Sequence, residues 1–191
     1  MTLAYDVTGD GPTVLLLHST AGDRRMWEPQ VPVLTAAGYQ ALRCDLRGFG
    51  GTPPPDAPYN DADDVARLLD VLAVDRTAVI AASGGGQVAQ ELAARDPTLH
   101  GFSAAGVAQA GVDVEPIAVQ YDVATITAPV LLMSGDHDLP DFRAIAVHLA
   151  GRLPQARHVP LPWAGHLPSM ERPDETNRLL LDFLTATLPP R

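Results

Sequence analysis

Apolar and polar positions along the chain switch between two periods, and the switches divide it into elements. Val14 to Leu17, Ala78 to Ala82 and Pro129 to Ser134 are short continuous apolar runs, the pattern of strands buried on both faces. Gln40 to Leu46, a weaker Gly101 to Val107 and about Ala156 to Leu161 read as further strands. Leu3 to Val7 reads as a short edge strand ended by the turn Thr8-Gly9-Asp10-Gly11-Pro12. Between these lie stretches with helical spacing. Val65, Leu68, Leu69 and Leu72 recur at i, i+3, i+4 and i+7 behind Asp61, the expected cap. Val88 pairs with Leu92 and Ala89 with Ala93; Phe142, Ile145, Ala146 and Leu149 share a face; Leu180, Phe183 and Leu184 face inward from a last helix over about Asp174 to Thr187. A helix is also predicted from about Trp27 to Ala37, with Pro29 and Pro32 in or near its first turn and Gly38 as its stop. Strands alternating with helices predict an α/β fold: a mostly parallel sheet flanked by helices on both faces, with a site at the strands' carboxyl ends.

Composition narrows the class. The 191 residues suit a single domain, 1–191, with one sizeable core. A net charge of −10 without a basic cluster argues against nucleic acid or an anionic membrane as partner. The single cysteine, Cys44, excludes an internal disulfide and a Cys-based zinc site, and is expected to pack at the end of a strand. No apolar run reaches the roughly 18 residues of a membrane span, and the N-terminus has neither a basic start nor an apolar core, so the expected location is cytoplasmic.

The chemistry concentrates at residues 78–89. A strand-type run meets Ser83, then Gly84-Gly85-Gly86, then helical spacing. A serine at the apex of so sharp a turn needs small neighbours two residues away on both sides, and here they are Ala81 and Gly85. The bland alternative is a Gly-rich turn that packs or meets a phosphate. A P-loop is disfavoured because the Lys-Ser/Thr ending is missing, and G-x-G-x-x-G because Val88 and Ala89 follow where glycine is required. Two further strand ends offer Asp138 and His166, giving the chain order nucleophile, acid, base. A serine hydroxyl needs an imidazole to take its proton, and the imidazole needs a carboxylate to fix its tautomer. A metal site built from Asp136, His137, Asp138 and His166 is disfavoured, since no i, i+4 histidine pair or known ligand spacing is present.

From about Tyr5 to Leu184 the chain resembles the α/β-hydrolase superfamily. The resemblance is carried by Gly9-Asp10-Gly11-Pro12, by Asp45-Leu46-Arg47-Gly48-Phe49-Gly50, by the 81–86 elbow, by Gly135-x-x-Asp138 and by Gly165-His166. Residues 18–30 are similar to the matching stretch of 3-oxoadipate enol-lactonases. The resemblance implies Ser83, Asp138 and His166 as catalytic residues. It favours Asp138 over Asp136, which is left as a turn former, and makes His18 an orienting residue rather than a base. By position, the N–H groups of Thr20 and Gly84 form the oxyanion hole. Ser19, Trp27, Phe49, Leu139, Trp163 and Leu167 are candidate pocket residues, with core or rim packing as the alternative for each. Ser19 stands where most members have glycine. A nucleophilic serine also argues against the branches that use a carboxylate.

Most members insert a helical lid where this chain has only residues 108–128, so the lid is expected to be a short segment and the site open. Bare apolar surface would then be covered by a second copy, a homodimer, or used on an apolar substrate. The implied function is a cofactor-independent serine hydrolase of small carboxylic esters or lactones. Two alternatives stay open: a non-hydrolytic enzyme on the same scaffold (lyase, perhydrolase or cyclase), and a catalytically silent ligand-binding relative.

Overall fold

The computed structural model describes residues 3–95, 120–190 and the backbone of 102–104. Among these residues one seven-stranded sheet forms from β1 (Tyr5–Thr8), β2 (Thr13–Leu17), β3 (Gln40–Cys44), β4 (Thr77–Ala81), β5 (Phe102–Ala104), β6 (Val130–Gly135) and β7 (Ala156–Leu161). The spatial order is β1-β3-β2-β4-β5-β6-β7. β1 runs antiparallel to β3, and the remaining neighbours are parallel. The helices are α1 (Val31–Ala36), α2 (Asp61–Val71), α3 (Gly84–Arg95), α4 (Pro140–Arg152), α5 (Pro168–Glu171) and α6 (Pro173–Thr187).

The apolar runs become central strands because both of their faces are covered. In β2, Leu15 and Leu17 join one buried cluster with Val65 and Leu68 of α2 and Val88 and Leu92 of α3. Val14 and Leu16 join the other, with Trp27, Leu34 of α1 and Leu180 and Leu184 of α6. β4 and β6 divide in the same way. Each such side chain contributes about 1.5–3 kcal/mol on burial. Chain order reverses at β2: β3 lies to one side and β4 to the other. The crevice at such a switch point, beyond the strands' carboxyl ends, is where open α/β sheets bind ligands.

Two expectations need correction. The helix from Trp27 to Ala37 is instead a 3-10 turn, Arg24–Trp27, followed by the short α1. Pro29 lacks the N–H that would join them. The cap of α2 is Asn60, whose side chain accepts from the Asp63 N–H at 2.8 Å, and Asp61 is already helical. The expected face of α4 is the one turned to the sheet: Ala146 is buried and Phe142, Ile145 and Leu149 are half-buried, because this helix covers an edge of the sheet. Cys44 closes β3 and is buried. Much of the strand expected over 101–107, and of the lid segment 108–128, lies outside the described residues; the part that is described holds a 3-10 turn, Val123–Thr125. Among the described residues, no helix is long and apolar enough to cross a membrane.

Candidate active site

β4 ends one residue before the turn, and α3 begins immediately after Ser83. Ser83 has φ 51°, the left-handed region, and is 2% exposed. Such a conformation costs on the order of 1–3 kcal/mol and persists only where its surroundings enforce it. They do so here by close approach. The Ala82 N–H donates to the Leu17 carbonyl at 3.1 Å. A β-carbon on Gly85 would stand 2.6 Å from the carbonyl oxygens of Leu17 and His18, and one on Gly84 would overlap Thr20 Cγ2. The glycines after the serine therefore let α3 begin directly against the loop after β2.

The other two groups come from the far side of the sheet. His166 Nε2 is 3.0 Å from Ser83 Oγ, and its Nδ1 is 2.8 Å from Asp138 Oδ2. With the carboxylate as acceptor, the ring proton sits on Nδ1 and Nε2 is free to accept from the serine hydroxyl. Asp138 Oδ1 accepts from the Leu139 N–H at 2.7 Å, which fixes the carboxylate. The loops after β6 and β7 are themselves joined, since the His137 N–H donates to the Ala164 carbonyl at 2.9 Å. A β-carbon on Gly135 would overlap the carbonyl oxygens of Ala164 and Gly165. Asp136 is exposed in the turn. The Phe142 ring lies 4.4 Å from the His166 ring, centroid to centroid.

The loop after β2 is wired from below. The Leu46 N–H donates to His18 Nε2 at 2.9 Å, placing the ring proton on Nδ1, which donates to the Ser19 carbonyl at 2.8 Å. Burial lowers the His18 pKa and keeps this clamp neutral. The Ser19 side chain accepts from the Ala21 N–H, and its own N–H donates to Met26 Sδ. Asp45 is fully buried. It accepts from the Arg24 and Gly51 N–H groups at 2.7 and 2.8 Å and pairs with the Arg24 guanidinium. The Thr20 backbone nitrogen lies 3.6 Å from where a Gly84 β-carbon would be, so these two segments meet beside Ser83.

The candidate pocket residues scatter. Ser19 and Leu167 line an open groove of about 510 Å³ that also includes Met26, Arg25, Glu28 and Met170. Asp23, on the same groove, pairs with Arg25, which holds its carboxyl well below the usual range. Trp27 is 1% exposed and belongs to the core, where with Leu167, Ala82 and Met133 it lines a void of about 20 Å³. Phe49 packs edge-on to His18. Leu139 is 64% exposed at the start of α4. Trp163 is half-buried under the Arg172 guanidinium. Sequence reasoning placed Phe142 on a helix face without its contact to His166 and did not single out Met26, Met170 or Glu171. Among the described residues, no group of three His, Cys, Asp or Glu converges to hold a metal ion.

Residues 14–121 match the alpha/beta hydrolase family. A Mycobacterium tuberculosis protein provisionally named non-heme bromoperoxidase BpoC is 26% identical, with 97% of this chain and 98% of that protein aligned. The alignment spans 258 positions against 191 residues here, so that relative carries segments this chain lacks. A Rattus norvegicus protein provisionally named protein-lysine deacylase ABHD14B is 31% identical over 90% of this chain and 82% of its own length. Among solved structures, the enol-lactonase from Burkholderia xenovorans LB400 superposes with a TM-score of 0.83 at 26% identity, covering 96% of each chain.

Proposed function

Because the chain belongs to the alpha/beta hydrolase family, we propose that it is a serine hydrolase that cleaves a small carboxylic ester or lactone through an acyl-enzyme. The observation that carries the reading is the relay from Ser83 Oγ through His166 to Asp138, at 3.0 and 2.8 Å, on a serine held in a left-handed turn at a helix start.

In this reading Ser83 Oγ attacks the acyl carbon while His166 Nε2 takes its proton, and Asp138 stabilises the imidazolium through Nδ1–H. The N–H groups of Thr20 and Gly84 receive the oxyanion, each such donor being worth about 3 kcal/mol in the transition state. Gly84 is the first residue of a twelve-residue helix, whose positive end favours the developing charge. His166 then protonates the leaving oxygen, and water, activated by the same nitrogen, releases the acid. No step requires a cofactor. Ser19 and Leu167 flank the oxyanion and base residues in sequence, so the groove they line is the proposed substrate site, with the apolar side chains of Met26 and Met170 along it.

A second reading, hydrolysis of an acylated amine, is favoured by the likeness to ABHD14B over most of both chains. It uses the same groups with nitrogen as the leaving atom. Labelling with a fluorophosphonate, followed by peptide mapping, tests the common core: one adduct on Ser83, absent in Ser83→Ala. Turnover of short esters and lactones should fall at least about 10⁴-fold in that variant. Full esterase turnover by Ser83→Ala would refute the reading. Comparing an ester panel with an acyl-lysine peptide separates the two substrate classes.

A further inference from the structure

His166 lies in the irregular stretch between β7 and α5, and one carboxylate grips that stretch on both sides of it. The Gly165 N–H donates to Glu171 Oε2 at 2.7 Å, and the Leu167 N–H donates to Glu171 Oε1 at 3.0 Å. The Glu171 N–H donates back to the Leu167 carbonyl at 3.0 Å. Glycine at 165 gives the carboxylate room, since a β-carbon there would come within 3.2 Å of Oε1. Two amide donors bound to one anion fix the backbone on either side of the residue between them. That residue carries the imidazole.

We infer that Glu171 is a positioning residue for His166, setting the reach of the imidazole to Ser83 through the backbone it binds. The inference rests on the serine-hydrolase reading above. Glu171 and Asp138 divide the task. Asp138 fixes the ring's tautomer and its rotation, whereas Glu171 fixes where the ring is attached. The separation matters because Nε2 must lie within hydrogen-bond reach of Oγ and then of the leaving atom. A displacement near 1 Å in such a geometry costs about 10²-fold in rate.

The test compares the wild type with Glu171→Ala and Glu171→Gln, using p-nitrophenyl acetate and a fluorophosphonate. Glutamine keeps the size but offers one acceptor oxygen to two donors. In Glu171→Ala, kcat should fall about 10–100-fold with KM within about twofold, and Ser83 labelling should slow by the same factor. Glu171→Gln should fall between. Amide hydrogen exchange at Gly165 and Leu167 should quicken in both variants. Unchanged kcat in a folded Glu171→Ala protein whose two amides exchange faster would overturn the inference. So would a loss of kcat that merely follows a lowered Tm and disappears on cooling. If the wild type neither labels nor turns over the ester, the hydrolase reading falls on its own. Positioning is then decided by the proton NMR signal of His166 Nδ1–H: a shifted or broadened signal in Glu171→Ala supports it, and an unchanged one overturns it.

Discussion

On the β2–β4 side of the site, Leu17, His18, Ala81 and Ser83 are all buried, and segments meet at distances that only glycine permits. On the β6–β7 side, α4 buries only Ala146, β7 is an edge strand, and the His166 side chain is 29% exposed. There the loops are joined by hydrogen bonds as well as by one close approach, at Gly135. The proposed nucleophile is thus placed by steric exclusion, and the proposed base, beyond the close approach at Gly135, by a small set of directed contacts. Exclusion tolerates little change but costs nothing at the moment of reaction. Directed contacts can be loosened one at a time, so the base side is where rate can be altered without unfolding the protein.

Beyond loss of Ser83 itself, the largest effect is expected for Asp138→Asn, which puts a carboxamide where the carboxylate stood and disturbs the His166 tautomer. kcat should fall about 10²–10⁴-fold with little change in denaturation midpoint. A large loss of stability would mean that this side, too, is held by packing. Next comes a matched pair. Gly85→Ala drives a β-carbon against the Leu17 and His18 carbonyls in mid-sheet and should destabilise by about 3 kcal/mol in urea unfolding. Gly135→Ala pushes on the Ala164 and Gly165 carbonyls beside His166, at the β7 edge of the sheet rather than its middle, so the expectation is a smaller loss of stability and a larger loss of kcat. Equal stability losses would break the comparison.

The smallest effect concerns Asp61, on the packed side, whose pKa burial and then Asp64 push up to about 6. Between pH 4 and 6 the native state retains a proton that the unfolded chain has lost. Stability therefore falls as pH rises through that window. Asp61→Asn should be more stable than wild type by about 2 kcal/mol at pH 7 and indistinguishable near pH 4. Parallel pH profiles of Tm for the two proteins would contradict this.

The same contrast governs what could be read from the chain. β2, β4 and β6 were legible because double-sided burial writes an uninterrupted apolar run, and the elbow because steric exclusion demands small residues at fixed offsets around Ser83. His166 was legible beside glycine just past a strand end, whereas Asp138 was preferred to Asp136 only through the family resemblance; the structure brings both within hydrogen-bond reach of their partners. Glu171 left no such trace: its partners are backbone N–H groups, which every residue except proline possesses. The groove was legible only at Ser19 and Leu167, since it joins residues 19–28 to 167–170 across most of the chain. Pro29 and Asn60 show the local limit. A proline inside a periodic stretch can start or break a helix, and two neighbouring Asn/Asp side chains can cap equally well until the backbone chooses.

Cys44, sealed at the end of β3, has its thiol pushed up to about 12 by burial. It is the chain's one cysteine, and the folded protein thus offers electrophiles no thiolate at neutral pH. Reagents that ordinarily confuse activated serines with cysteines, such as β-lactones and sulfonyl fluorides, meet no competing thiol on the folded protein. A cysteine engineered at an exposed position such as Leu139 could likewise carry a dye or spin label without a competing native site.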